Sequence, residues 1–265
     1  MVLITLLSDF GLDDPYLAQM KGVIASIVPD IGLIDISHGI EKHNIAIGSY
    51  VLETTVPLFP HDSIHVAVVD PGVGGARLPI VIECDRGVLV GPDNGLMARA
   101  AARLGLKTVY QIKSNQFQKD QVSSTFHGRD VFAIAAARLA EGRKPSDVGP
   151  EQSTIVRLDI PSIGFMKERV RCNIIYIDSF GNVVTNISDG DLHRHGFQDS
   201  KEVEVLTRRG RKVRGLVARS YSDIPTSRFG LLVGSQGYVE IALKEASAAK
   251  KLRVKVLDPL EIRFS

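Results

Sequence analysis

Residues 64–84 read IHVAVVDPGVGGARLPIVIEC: an apolar run closed by Asp70, a turn of proline and glycines, Arg77, then a second apolar run. Both runs are short, rich in β-branched residues and bounded by turn formers, which predicts strand, loop, strand. The loop is glycine-rich but lacks the parts of a phosphate cradle. A Walker loop needs a lysine and a hydroxyl at fixed places after its glycines, and counting from Gly72 neither is there. A dinucleotide-binding turn needs a third glycine where Arg77 stands and a helix directly behind it, whereas residues 78–84 read as a strand. What remains is a carboxylate at the carboxyl end of a strand, with glycines that let the chain turn sharply and bring Arg77 back toward it. A structural hairpin with a surface Asp–Arg pair fits the same spacing, and such a pair contributes little to stability.

The pattern extends outward on both sides. Residues 2–7, 32–36, 87–91 and 107–112 also predict strands, and 14–29, 43–56, 94–105 and 129–142 predict helices. Asp14 is placed to cap the first helix with Pro15 at its first position, and Gly105 to end the third. Strands alternating with helices predict an α/β fold with a doubly wound, mainly parallel sheet, whose ligands lie beyond the carboxyl ends of the strands. From residue 143 the chain turns rich in Pro, Ser and Gly, and after it come short β-rich segments at 169–178, 201–207, 211–218, 230–234, 237–243 and 252–258, with one short helix within 244–251. The expected organisation is an N-terminal α/β domain over 1–157, a linker over 158–168 and a smaller C-terminal all-β domain, sandwich or barrel, over 169–265.

Composition narrows the classes of function. With 32 basic against 30 acidic residues, no electrostatic argument favours nucleic acid or an anionic membrane. The basic cluster Arg208, Arg209, Arg211, Lys212 and Arg214 reads as a solvated hairpin. Cys84 and Cys172 lie in separate apolar runs, which suits buried thiols in a reducing, cytoplasmic setting. The apolar opening residues are too few to span a bilayer and read as a first strand. His193 and His195 form an H-x-H in what reads as a loop, without a ligand partner, and His38, His61 and His65 have none in their motifs either, so no metal is predicted.

Several polar residues stand at strand ends. Asp9 closes the first strand, and GPDNG at 91–95 follows another. His127 precedes a helix, where the positive end of the macrodipole favours the neutral imidazole, and a neutral histidine near an aspartate is a fitting base. In the C-terminal half, Asp178, Phe180 and Asn182 supply a carboxylate, an aromatic face and an amide, the parts that hold an amine, a flat ring and a base edge. Taken singly, each is also a common turn or helix-start residue.

Seven stretches in order, SDFGLDDPYLAQMKG (8–22), DISHGI (35–40), VVDPGVGGAR (68–77), GPDNGL (91–96), TFHGRD (125–130), IDSFGNVVTN (177–186) and GSQGYVEIALKEAS (234–247), together resemble the S-adenosylmethionine hydrolase, or hydroxide adenosyltransferase, family, related to fluorinating and chlorinating enzymes. The resemblance covers nearly the whole chain. It implies an N-terminal α/β domain and a C-terminal barrel-like domain, assembled as a homotrimer with each site between one subunit's N-domain and its neighbour's C-domain. It implies a catalytic triad of Asp70, Arg77 and His127. Asp9 matches the acid that binds the ribose diol, and Asn182 the residue that reads the adenine edge between Phe180 and Tyr221. Asp178 and Ser235 match positions that hold the methionine amine and carboxylate, and the backbone near Glu245 matches a contact to the adenine amino group. S-adenosylmethionine is then the small-molecule substrate, attacked by water at C5′, with no cofactor. Gly128 stands where the fluorinating relative has a serine, Gln236 where it has an arginine, and the loop from Asp70 to Arg77 is one the relative lacks. A halogenase and a non-catalytic adenosine-binding module are the competing expectations.

Overall fold

A computed structural model describes residues 2–196 and 201–265. The chain separates into two compact units, Met1–Leu158 and Asp159–Ser265. The first contains β1 (Leu3–Ser8), α1 (Tyr16–Ile27), β2 (Gly32–Ser37), α2 (Ile45–Thr55), β3 (Ile64–Val68), β4 (Pro79–Cys84), β5 (Gly87–Pro92), α3 (Ala98–Leu104), β6 (Leu106–Gln111), α4 (Ala133–Ala140) and β7 (Glu151–Gln152). Its strands lie in the order β2-β1-β3-β5-β4-β6-β7.

The sheet is covered on both faces, which is why its central strands are apolar at consecutive positions rather than alternate ones. Val66 and Val68 of β3 pack with Leu17, Met20 and Ile24 of α1 and the buried alanines of α4. Their neighbours Ala67 and Val69 turn the other way, onto Leu52 of α2 and Ala100, Ala101 and Leu104 of α3. Pairing is parallel from β2 through β1 and β3 to β5. Beyond β5 it is antiparallel, so within the mainly parallel sheet expected the parallel pairing is confined to β2, β1, β3 and β5. The reason is local: Asp85 and Arg86 form a tight turn between β4 and β5, and only antiparallel neighbours can be joined so briefly. Gly105 ends α3 in the left-handed region, φ 78°. Asp14 does not cap α1, whose first turn instead closes through the Pro15 carbonyl, accepting from the Gln19 N–H at 3.0 Å.

The second unit contains β8 (Gly164–Met166), β9 (Arg169–Ile177), β10 (Val183–Ser188), α5 (Asp189–His195), β11 (Glu202–Thr207), β12 (Lys212–Val217), β13 (Phe229–Val233), β14 (Tyr238–Leu243), α6 (Ala248–Leu252) and β15 (Pro259–Phe264). Seven strands, β10-β14-β13-β12-β11-β15-β9, close into a barrel because β10 pairs with both β14 and β9; β8 extends β9 outside the ring. Closure leaves no unpaired edge within the ring and encloses a core of Val170, Ile174, Val239, Ile241 and Ile262.

Two local expectations are corrected. The strand expected over 252–258 is instead the end of α6 at Leu252 and a turn over 253–258: Arg253 and Leu257 take φ of 57° and 70°, and the Asp258 carboxylate accepts from the Lys255 N–H at 2.9 Å. The strand follows them as β15, opened by Pro259 at its first residue, a position where a missing N–H is tolerated. The H-x-H segment is the helix α5 rather than a loop, started by a reciprocal cap between Ser188 and Asp191. Among the described residues no helix is long and apolar enough to cross a membrane, and no group of three or more His, Cys, Asp or Glu is arranged to hold a metal ion.

Candidate active site

Parallel pairing of β1 with β3 sets Ser8 beside Val68, so the residues just past them, Asp9 and Asp70, emerge on one rim of the sheet. Past Asp70 the chain makes two successive turns, with the Val73 N–H donating to the Asp70 carbonyl and the Gly75 N–H to the Gly72 carbonyl. The path returns Arg77 to Asp70. Arg77 Nε donates to Asp70 Oδ1 at 3.0 Å and lies 3.1 Å from Oδ2, while Nη2 makes a short contact with Oδ2. The same Nη2 reaches His127 Nδ1 at 2.7 Å, and the guanidinium lies over the Phe132 ring. Asp70 and Arg77 side chains are only 5% and 9% exposed, so this is a shielded fork and not the surface pair that the spacing also allowed.

His127 immediately precedes a π-helical turn, Gly128–Phe132, that leads into α4. A guanidinium can only donate, so Nδ1 of His127 accepts, and its proton resides on Nε2. Burial holds the imidazole below its ordinary pKa of 6.5, and the Arg77 charge adds to this; Asp70 and Asp130 offset it in part. His127 is therefore neutral at pH 7.

Asp9 is 6% exposed and accepts from the His43 N–H at 2.8 Å. It shares with Asp70, His127 and Gly128 a cavity of about 160 Å³, walled by Phe10 and Phe126. GPDNG does not line this cavity. Its Asn94 side chain donates to the Val69 carbonyl at 2.8 Å, the Asp93 N–H donates to the Leu78 carbonyl at 2.8 Å, and the Asp93 carboxylate accepts from the Val156 N–H.

Gly74 shows why the loop is built of glycine. Its φ is 74°, and a Cβ there would stand 2.3 Å from the Ser124 carbonyl oxygen, in the segment that delivers His127. Gly74→Ala is expected to lower kcat about tenfold or more, because displacing this segment separates His127 from Arg77. Steady-state kinetics alongside a melting curve checks this, and an unchanged kcat would show that the contact does not position His127.

A second site lies in the barrel unit, an open cleft of about 790 Å³ lined by Asp178, Phe180, Asn182, Tyr221 and Glu245 among others. The turn after β9 is tied by Asn182, whose N–H and Nδ2 donate at 2.8 Å each to the two carboxylate oxygens of Asp178. With Nδ2 so engaged, the Asn182 side-chain carbonyl is the acceptor left over. Phe180 is 79% exposed and Tyr221 47%, a large aromatic surface beside a buried amide. Ser235 is not brought to this cleft lining; it is exposed in the β13–β14 turn. Sequence reasoning missed Glu240, a buried carboxylate on β14 that accepts from the Tyr221 hydroxyl at 2.6 Å. Its signal was a single acid in the otherwise apolar run YVEIAL. Burial and the nearby Asp178 push the Glu240 carboxyl up, against the Tyr221 hydrogen bond.

A structural hairpin has no use for a buried arginine divided between a carboxylate and an imidazole at the lip of a cavity, so fold and site define an enzyme of a two-unit, α/β-plus-barrel class. Residues 4–149 match the family model described as SAM hydroxide adenosyltransferase N-terminal domain, and 172–261 the C-terminal domain of the same name. The chain belongs to the SAM hydroxide adenosyltransferase family. It is 37% identical to the (R)-S-adenosyl-L-methionine hydrolase of Methanocaldococcus jannaschii, over 99% of this chain and 96% of the relative. It is likewise 37% identical to the enzyme of that name from Salinispora tropica, over 98% and 97%. Fluorinases align more distantly, at 23–24%. A crystal structure of an uncharacterized conserved protein from Thermotoga maritima superposes with a TM-score of 0.93 at 32% identity, covering 98% of this chain and all of that one.

Proposed function

We propose that this protein hydrolyses S-adenosyl-L-methionine, releasing adenosine and L-methionine, with Asp70, Arg77 and His127 as its catalytic residues. The observation that carries the reading is the shielded Asp70–Arg77–His127 cluster opening on the same cavity as Asp9. Water attacks C5′ opposite the sulfonium: the new O–C5′ bond forms, the C5′–S bond breaks, and its electron pair leaves on sulfur as a neutral thioether. No acid is needed for the leaving group, so the protein's work is to hold one water in line and to take its proton. With Nδ1 occupied by Arg77, His127 presents Nε2–H and orients the water oxygen as a donor. Asp70 is then the acceptor through Oδ1, which takes only the Arg77 Nε–H and keeps a second lone pair, whereas Oδ2 faces both Nε and Nη2.

In the same reading, Asp9 takes the ribose diol, and the Asn182 carbonyl accepts from the adenine amino group between Phe180 and Tyr221, with the backbone near Glu245 as a second contact. Asp178 holds the methionine amine, and Ser235, by its motif, the carboxylate. Trimer assembly and cytoplasmic location belong to the proposal; the two buried free cysteines support the latter. An active, stable monomer in light scattering would refute the shared site.

Turnover in ¹⁸O-labelled water tests the reaction: label is expected in the 5′-hydroxyl of adenosine. A 5′-halo-adenosine formed in the presence of halide would point instead to a halogenase, and tight binding without turnover to a binding module. A Cβ on Gly128 would lie 3.0 Å from the Phe126 ring and 3.2 Å from the Met20 sulfur, so the serine of the fluorinating relative would need both side chains to shift by a few tenths of an ångström.

The pH profile is expected to show an acid limb below pH 6.5. His127 has a lowered pKa, so as pH falls through that value it gains a second proton, loses the acceptor that Arg77 uses, and sets two cations side by side. Its contribution to stability is complete above the unfolded value of 6.5 and is lost as pH falls toward the lower, folded one. A kcat/KM profile whose acid limb persists unshifted in His127→Ala would assign it to another group.

A further inference from the structure

The DISHGI stretch is explained neither by the fold nor by the reaction, yet it places a histidine, 5% exposed, beneath the active-site rim. His38 Nδ1 lies 2.7 Å from the hydroxyl of Ser8, itself 2% exposed. On the other side of the ring, Nε2 stands 3.2 Å from Asp35 Oδ1, a close electrostatic contact rather than an aligned hydrogen bond, and the other Asp35 oxygen is held by Lys21 Nζ at 2.7 Å. The tautomer follows from the partners. A bare Nε2 facing a carboxylate would be repulsive, so Nε2 carries the proton and Nδ1 accepts from Ser8. The Ser8 oxygen is free in turn to accept from the Phe10 N–H at 3.3 Å. The His38 carbonyl accepts from the Gly11 N–H at 2.8 Å. Side chain and backbone of one residue thus grip the chain on both sides of Asp9.

The geometry points to His38 as a positioning residue for the ribose end of the cavity: through Ser8, Phe10 and Gly11 it fixes where the Asp9 carboxylate stands and so sets discrimination for a ribose that carries its diol. This rests on the reading of Asp9 as the ribose-binding acid. Ser8 is not a nucleophile here, because its hydroxyl is buried and spent on the ring of His38. Lys21 and Asp35 act at the outer end, holding the tautomer that Ser8 requires.

The test compares kcat/KM for S-adenosylmethionine with that for its 2′-deoxy analogue, in variants shown to be folded by circular dichroism. His38→Ala is expected to lower the ribo-to-deoxy ratio about tenfold or more, mostly through KM of the ribo substrate. His38→Asn, whose side-chain oxygen can stand near the Nδ1 position, is expected to restore much of it, and Asp35→Asn to lower it less. If His38→Ala does not fold, Ser8→Ala, which removes one hydroxyl, carries the same expectation. Equal losses on both substrates would reduce His38 to a structural role and overturn the proposal. So would an unchanged ratio in His38→Ala while Asp9→Asn collapses it. A ratio that survives Asp9→Asn would instead overturn the ribose reading of Asp9, and the proposal with it.

Discussion

Replacing Arg77 with lysine is expected to lower kcat by about 10²- to 10³-fold with little loss of stability, the scale seen when one preorganised polar group is removed from a reacting centre. The substitution keeps the positive charge beside Asp70 but not the planar fork. Arg77 holds Asp70 through Nε and Nη2 while the same Nη2 reaches His127 at 2.7 Å. An ammonium is a compact point charge that cannot reproduce these directions together. In Arg77→Lys the imidazole is therefore released, either nitrogen can carry its proton, and the water loses a fixed donor. Because the lost interaction orients the reacting water and not the bound substrate, the change is expected in kcat with KM nearly constant. Arg77→Ala is the harsher variant. Asp70 would keep a charge at 5% exposure with no partner, and breaking a buried pair in this way costs about 3–5 kcal/mol. Single-turnover kinetics and thermal melting on the two variants separate chemistry from folding. A lysine variant with wild-type kcat would remove Arg77 from the catalytic cluster.

In the barrel unit, Asn182→Asp is expected to raise KM about 100-fold or more at pH 8, with partial recovery toward pH 5.5. The Asn182 amide now donates to Asp178 Oδ2 at 2.8 Å. An aspartate would set two carboxylates at that separation, and two such groups cannot both stay ionised cheaply. One carboxyl is pushed up in pKa, so it takes a proton as pH falls, and a hydrogen bond between the two acids then replaces the repulsion. At higher pH the turn at 178–182 opens and carries with it the Phe180 ring and the acceptor proposed for adenine. Asn182→Ala loses the donor without adding charge and is expected to weaken binding with no recovery at lower pH. Calorimetric titration with adenosine at the two pH values checks the pair. Unchanged affinity in Asn182→Asp would mean that the cleft does not read the base through this residue.

Much of the fold was legible because its signals are local. β-Branched runs marked β1, β3, β4 and β5, and Gly105 marked the end of α3. The return of Arg77 to Asp70 was readable for the same reason, since proline and glycine leave a short loop few other paths. What escaped depends on neighbours remote in sequence. Nothing in DISHGI announces that β2 lies beside β1, so the contact of His38 with Ser8, thirty positions away, had no local sign. Glu240 stayed hidden because its donor, Tyr221, comes from a segment outside its own strand. The shift from parallel to antiparallel pairing turned on a two-residue hairpin, weak in sequence beside the strands it joins. At 252–258, alternating apolar residues imitated a strand while left-handed backbone at Arg253 and Leu257 decided for a turn.

The dipeptide Asp93-Asn94 has a consequence for how the site is held together. Asn94 fastens the carbonyl just before Asp70, and the Asp93 N–H fastens the carbonyl just after Arg77. Both feet of the glycine arch therefore stand on one anchor, the bend that follows β5. The acid and the guanidinium are thus matched by bonds that do not pass through the glycines between them.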